Sequence, residues 1–126
     1  MPRDARQPDG LAVPKAPYSP LVVGGGLVYT AGQVAFDESG ELVPGGIEEQ
    51  TRRTLENLTA CLRAGGCGPG DVLKVNAYLN DLGDFAGFNR VYEEFFEPPY
   101  PARTTVGVAL PGGILVEIEA VARAAA

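Results

Sequence analysis

The spacing of apolar residues changes along the chain, and each change marks a predicted element. Residues 1–17 show no period and hold four of the eleven prolines, which predicts an irregular arm. Two short runs rich in Val, Leu and Tyr then flank Gly24 to Gly26, the pattern of a hairpin whose turn uses permissive backbone. Residues 36–46 read as a turn-rich connection with room for a short strand. From Ile47 the period becomes helical, with Ile47, Thr51, Leu55, Leu58 and Leu62 recurring at steps of three and four. Glu48 and Glu49 suit its first turn, and Gly65 and Gly66 end it.

Residues 71–79 alternate too poorly for an exposed edge and predict a central strand with both sides at least partly covered. Asp84 offers an N-cap to a second helix carrying Phe85, Phe88, Tyr92, Phe95 and Phe96, which Pro98 and Pro99 must stop. That aromatic stripe reads as core packing onto a sheet. Two further runs, residues 103–110 and 114–122, follow as strands joined through Pro111-Gly112-Gly113. The order ββ, α, β, α, ββ predicts an α+β fold, a mixed or antiparallel sheet with two helices on one face. Residues 18–126 form one domain behind the arm.

Faces of the last two strands carry the chemistry. Glu117 and Glu119 are two apart, so a strand aims both at one side and sends Val116, Ile118 and Ala120 to the other, where the helices are expected. Arg103, Thr105 and Gly107 likewise share a side, opposite Thr104, Val106 and Val108. On an isolated chain such a polar side is simply wet, with Arg103 and Glu119 as a cross-strand surface pair worth about 0.2–1 kcal/mol. Thr, Gly, Val and Tyr nevertheless dominate these faces, which points to burial by another chain.

Composition narrows the function. The 126 residues carry a formal net charge of −6, and the ten basic residues form no cluster, so nucleic acid finds no footprint. The first ten residues are polar and lack the apolar run of a signal peptide, and no stretch reaches the length of a membrane span, so the expected location is cytoplasmic. Cys61 and Cys67 are spaced as neither a redox pair nor half of a zinc site, and both read as reduced structural thiols. Histidine is absent, which excludes Ser/His/Asp triads, Cys/His dyads and histidine-bearing metal sites. Acid–base work falls to carboxylates, tyrosine, lysine, backbone or water.

Residues 100–122, YPARTTVGVALPGGILVEIEAVA, resemble the C-terminal signature of the RidA/YjgF family of reactive-intermediate (enamine/imine) deaminases. The segments APYSP, VYTAGQV and NDLGDFAGFNRVYEEFF fall in that family's order, and the likeness runs from about Tyr18 to Ala122. The resemblance implies a homotrimer of chorismate-mutase-like fold with a barrel-like centre and a ligand cleft between subunits. It implies hydrolysis of 2-enamino and 2-imino acids, such as 2-aminoacrylate, to 2-oxo acids and ammonia, without cofactor or metal. The family's carboxylate-binding arginine falls on Arg103 and its water-positioning glutamate on Glu117. Tyr18 matches the tyrosine near the cleft and Gly32 the glycine whose backbone faces the ligand. Two positions depart from the pattern: Ala31 stands where a small hydroxyl is familiar, and Thr105 where a cysteine is common.

The residues suit this chemistry. A guanidinium can hold a 2-imino acid's carboxylate through two parallel hydrogen bonds, which lysine cannot reproduce. An iminium carbon is already electrophilic, so orientation and a carboxylate to deliver water are enough. A two-residue turn at Gly112-Gly113 would put Arg103 and Glu117 on opposite faces of a hairpin. They share a site only through a parity shift or by coming from different chains. The competing class is a non-enzymatic trimer that binds 2-oxo acids or acts as a chaperone; an endoribonuclease fits the charge and composition less well.

Overall fold

In the computed structural model, which describes residues 2–124, six strands form one mixed sheet. The strands are β1 (Asp4–Arg6), β2 (Leu21–Gly24), β3 (Leu27–Thr30), β4 (Val72–Leu79), β5 (Ala102–Gly107) and β6 (Val116–Arg123). Two helices, α1 (Ile47–Ala64) and α2 (Phe85–Phe95), complete the α+β architecture. The spatial order is β1-β2-β3-β6-β4-β5, antiparallel throughout except for the parallel β4–β5 pair.

Local chemistry explains most boundaries. The β2–β3 hairpin turns through Gly25 and Gly26, both at positive φ (60° and 78°), where a Cβ would be strained. Helix α1 starts where the Glu49 carboxylate accepts the Gly46 N–H at 3.3 Å. It ends as expected, with the Gly65 N–H donating to Cys61 O and the Gly66 N–H to Arg63 O. Its apolar stripe buries Leu55, Leu58, Cys61 and Leu62 against β3 and β6. The same core takes Val75, Ala77 and Leu79 of β4, Val116, Ile118, Ala120 and Ala122 of β6, and Phe88, Val91 and Tyr92 of α2. Polar Gln50 and Asn57 also lie on the buried side of α1. Gln50 Nε2 donates to Gly113 O at 3.0 Å and its Oε1 accepts the Leu115 N–H, so the amide pins the approach to β6.

Four expectations are corrected. The last two strands do not form a hairpin: α2 carries the chain to β5 at the sheet edge, parallel to β4, and residues 108–115 then pass back over β4 so that β6 pairs on its far side. The interior demands this order, because alternate residues of β6 are at most 3% exposed and such a strand needs neighbours on both sides. Second, the side of β5 bearing Arg103 and Thr105 faces the helices. Arg103 is opposite the fully buried Val75 and Thr105 opposite Ala77, and paired residues point the same way. Third, the irregular arm includes β1, an exposed three-residue strand on β2, held by the Arg6–Asp4 ion pair at 2.7 Å and by Arg6 Nη1 donating to Ala64 O. Fourth, Asp84 occupies the N-cap position of α2 but makes no side-chain capping bond; Asp81 accepts the Gly83 N–H at 2.8 Å in the turn that leads into the helix.

Candidate functional site

Arg103 enters the sheet edge beneath α2. Positions Phe85, Phe88 and Tyr92 recur at three and four residues, so one helical face lays three rings along the guanidinium. Arg103 Cζ lies 4.6 Å from the Tyr92 ring centre, 5.3 Å from Phe88 and 5.7 Å from Phe85. Asn89, between them on the helix, accepts from Arg103 Nη1 through its Oδ1 at 2.8 Å. Stacking and one hydrogen bond thus fix the plane of the fork, and among the described residues no carboxylate pairs with it. The guanidinium lines a cavity of about 250 Å³ with Asn89, Tyr92, Glu93, Tyr100 and Pro101. Burial pushes the Tyr92 phenol above its ordinary range and the charge of Arg103 pulls it partly back. Thr105, next along the same side of β5, has its Oγ1 buried without a hydrogen-bond partner among the described residues.

Glu117 belongs to a second cluster on the other face. Its register partner is Tyr78, which alternates with the buried Ala77 and Leu79, so Glu117, Glu119, Asn76 and Tyr78 all project from the side without helices. Gly32 lies against Glu117 so closely that a Cβ built there would overlap the carboxylate, at 2.8 Å from Cδ. The approach is fixed by a pair of backbone bonds, Gln33 N–H to Ile118 O at 2.8 Å and Ile118 N–H to Gln33 O at 3.0 Å. Among the described residues no hydrogen bond or ion pair engages the Glu117 carboxylate. Burial first, and then the charge of Glu119, raise its pKa above the ordinary carboxylate value. Tyr18 and Gly32 line a narrow cleft of about 60 Å³ with Gln33, Phe36 and Asn57. Ala31 precedes Gly32 with only a methyl group, its N–H bonded to Pro20 O.

The five expected residues therefore do not meet in one chain: Gly32 lies against Glu117 and shares a cleft with Tyr18, whereas Arg103 and Thr105 lie together on β5. Within one chain β4 separates Arg103 from Glu117, and the two side chains leave opposite faces. Sequence reasoning missed the cradle of Arg103, having assigned the aromatic stripe wholly to the core. Asn89 is the signal that could have found it, an amide set among ring positions. It also missed the hydrogen bond from the Tyr78 hydroxyl to Glu119 Oε1 at 2.8 Å, which only the register of β4 on β6 creates. The thiols offer no alternative nucleophile: Cys61 is pushed up to about 12 by burial, and Cys67 is raised for the same reason first. Among the described residues no three His, Cys, Asp or Glu side chains converge as metal ligands.

The family model described as endoribonuclease L-PSP matches residues 10–124. A RutC family protein of Pyrococcus abyssi is 47% identical over 86% of this chain and 87% of its own. A mouse protein named 2-iminobutanoate/2-iminopropanoate deaminase is 44% identical over 84% of this chain and 80% of its own. Among solved structures, Escherichia coli TdcF with bound serine superposes with a TM-score of 0.88 at 34% identity, covering 96% of this chain and 98% of that one.

Proposed function

The chain belongs to the RidA/YjgF family, whose model carries the description endoribonuclease L-PSP, and from that membership we propose that it is an enamine/imine deaminase. It hydrolyses 2-enamino and 2-imino acids such as 2-aminoacrylate to 2-oxo acids and ammonia. The observation that carries this reading is a pair of complementary, unpaired groups: a cation whose fork is fixed by Asn89 and three rings, and a carboxylate left free against Gly32. Their placement on opposite faces supports a working site at the junction of two chains in a homotrimer, Arg103 and Thr105 from one and Tyr18, Gly32 and Glu117 from the next. Side chains left half-exposed favour such an assembly, with Tyr29 at 49%, Val106 at 42% and Val108 at 43%.

In that site Arg103 takes the substrate carboxylate through two parallel hydrogen bonds. Glu117 accepts a proton from water as the water oxygen adds to the iminium carbon, giving a carbinolamine. The same carboxyl returns the proton to nitrogen, the C–N bond breaks, and loss of the hydroxyl proton leaves a 2-oxo acid and ammonium. Iminium acid and water are the only reactants, so no cofactor enters. Gly32 provides backbone without a Cβ where the carboxylate must lie close, and Thr105 contributes through its backbone. Ala31 offers the ligand no hydroxyl, which favours imines that need no hydrogen bond there. The serine bound to TdcF supports a ligand of amino-acid size. Among the described residues no helix is long and apolar enough to cross a membrane, and the proposed location is cytoplasmic.

The test generates 2-aminoacrylate with an amino-acid lyase and follows ammonia release with and without the protein. Glu117→Gln keeps the shape but loses the proton acceptor, so turnover should fall about 10²–10⁴-fold while 2-oxo-acid affinity holds. Wild-type rates in that variant, under conditions where chemistry limits turnover, would make Glu117 structural. A protein that binds 2-oxo acids through Arg103 yet releases no ammonia would instead be the non-enzymatic binding trimer.

A further inference from the structure

The open face of the sheet carries two carboxylates two residues apart on β6, and one phenol treats them unequally. Tyr78 stands directly opposite Glu117 in the β4–β6 register, whereas Glu119 stands opposite Asn76. The phenol nonetheless passes over its direct neighbour and donates its only proton diagonally, to Glu119 Oε1 at 2.8 Å. The phenol thereby anchors the Glu119 carboxyl on this face, and among the described residues Glu117 receives no hydrogen bond.

Other charges on this face do not level the difference. Lys74 of β4 points its Nζ at Thr104 Oγ1 of β5, 2.8 Å away, and joins no ion pair. Arg123 lies at the far end of β6, opposite Leu27, where it is exposed. From β3 the face receives Tyr29, opposite Val121, and beyond β3 the backbone of Gly32 lies against Glu117 itself. The helices cover the other side of the sheet. In the assembled site the Arg103 of a neighbouring chain adds a positive charge near Glu117, and that charge is constant across the comparisons below.

We propose that Tyr78 and Glu119 form a tuning pair behind Glu117, in which the phenol holds the Glu119 side chain in place and the like charge so placed makes Glu117 a readier proton carrier. The inference rests on the deaminase reading and deepens it: Glu117 must both take a proton from water and return it to nitrogen. A carboxyl whose ionised form is disfavoured by a like charge does both better than an isolated one. Two acids in unequal environments divide the roles, one anchored by the phenol and one left free to carry the proton. Tyr78 and Glu119 are positioning residues, acting through Glu117 without touching substrate. The raised pKa of Glu117 and that of Tyr78, the latter raised first by its bond to Glu119, agree with the geometry.

The experiment measures kcat/KM against pH for the wild type, Glu119→Gln, Tyr78→Phe and the double variant, each confirmed in the wild-type oligomeric state. Removing the charge at Glu119 should move the acid limb to lower pH and lower the plateau, because a less basic Glu117 takes the proton from water less readily. At a fixed pH on that limb the rate, as a fraction of its plateau, should rise roughly threefold or more, as expected for unit charges about 6.6 Å apart along a strand even at the dielectric of water. Tyr78→Phe should shift the limb the same way by less, because the Glu119 side chain is then no longer held in its place beside Glu117. The double variant should match Glu119→Gln alone, since the phenol acts only through Glu119; a packing role for Tyr78 would depress the plateau of the double variant further. Carboxyl-carbon NMR titration of Glu117, assigned through Glu117→Gln, reads the same shift without turnover. An acid limb and a titration both unmoved in Glu119→Gln, or a Tyr78→Phe effect that persists in the double variant, overturns the tuning pair even if the protein is an active deaminase. A shifted titration in a protein that releases no ammonia leaves the pair standing and sinks the deaminase reading.

Discussion

Two damaged chains should rebuild working sites when they assemble together. Arg103 leaves the helix side of β5 and Glu117 the open side of β6, with β4 between them. Two strand spacings separate the backbones by roughly 10 Å, and the side chains diverge from there, so one chain cannot close both groups on a small acid. Arg103→Met removes the fork while keeping a long stem against the rings. Loss of two charge-assisted hydrogen bonds should cost about 3–6 kcal/mol, a fall in kcat/KM of at least about 10²-fold. Glu117→Gln alone loses a similar or larger factor.

In a closed ring where each site takes Arg103 from one chain and Glu117 from the next, random 1:1 assembly restores a site when both neighbours are of the right kind. That happens for about one half times one half, so about a quarter of wild-type activity should return. The fraction is the same for any ring size, which keeps it independent of the trimer itself; light scattering tests that separately, at about three times the 13.2 kDa chain. The variants are mixed in denaturant, refolded, and assayed for ammonia release from 2-aminoacrylate. A control mixes wild type with the Arg103→Met/Glu117→Gln double variant, which leaves about a quarter of sites intact if they span two chains and about a half if they do not. Activity that stays at the level of the unmixed variants, with the control near a half, would refute the divided site.

Three shorter expectations follow from the same geometry. Asn89→Ala frees the guanidinium plane, and 2-oxo-acid affinity measured by calorimetry should drop about tenfold, ~1.4 kcal/mol, with the oligomer intact. Because the folded-state pKa of Glu117 is raised, the stability it contributes is present below the unfolded carboxylate value and lost as pH rises through the folded one. Glu117→Gln should therefore melt higher than wild type at pH 7, with the gap closing at about pH 4; a lower melting temperature at pH 7 would contradict the assigned burial. At net charge −6 with no basic cluster, RNA binding at physiological salt should be negligible, and sub-micromolar, salt-sensitive binding would favour the endoribonuclease reading.

Features whose cause is local were legible in the chain, and features set by strand order were not. The Gly25-Gly26 turn, the apolar stripe of α1 and its glycine end all depend on neighbours a few residues away. Alternation within β6 was readable too, and Val116, Ile118 and Ala120 do face the core. Alternation cannot say which side of a second strand meets the helices, and the preference of chargeable groups for the side opposite the apolar one put Arg103 away from them. Phe85, Phe88 and Tyr92 reverse that preference by giving the guanidinium ring faces to rest on at a sheet edge. Strand β1 was invisible for a similar reason. Asp4, Ala5 and Arg6 have no intrinsic strand character, and their conformation comes from the register with β2.

A histidine-free chain that carries its cation and its carboxylate on opposite faces gains something from the separation. Placed side by side in one chain, Arg103 and Glu117 would pair with each other, lowering the basicity of Glu117 and occupying the fork before any substrate arrived. Kept apart, Arg103 bonds the neutral acceptor of Asn89 and rests on the rings, and Glu117 lies against Gly32 beside the like charge of Glu119. On the deaminase reading each half is thus kept free, and the proposed assembly would bring them together across a small carboxylate. In the proposed site, the separation that looked like an obstacle in the sequence is what keeps both groups free. It also implies that an isolated folded chain should bind 2-oxo acids weakly at best and turn over no imine.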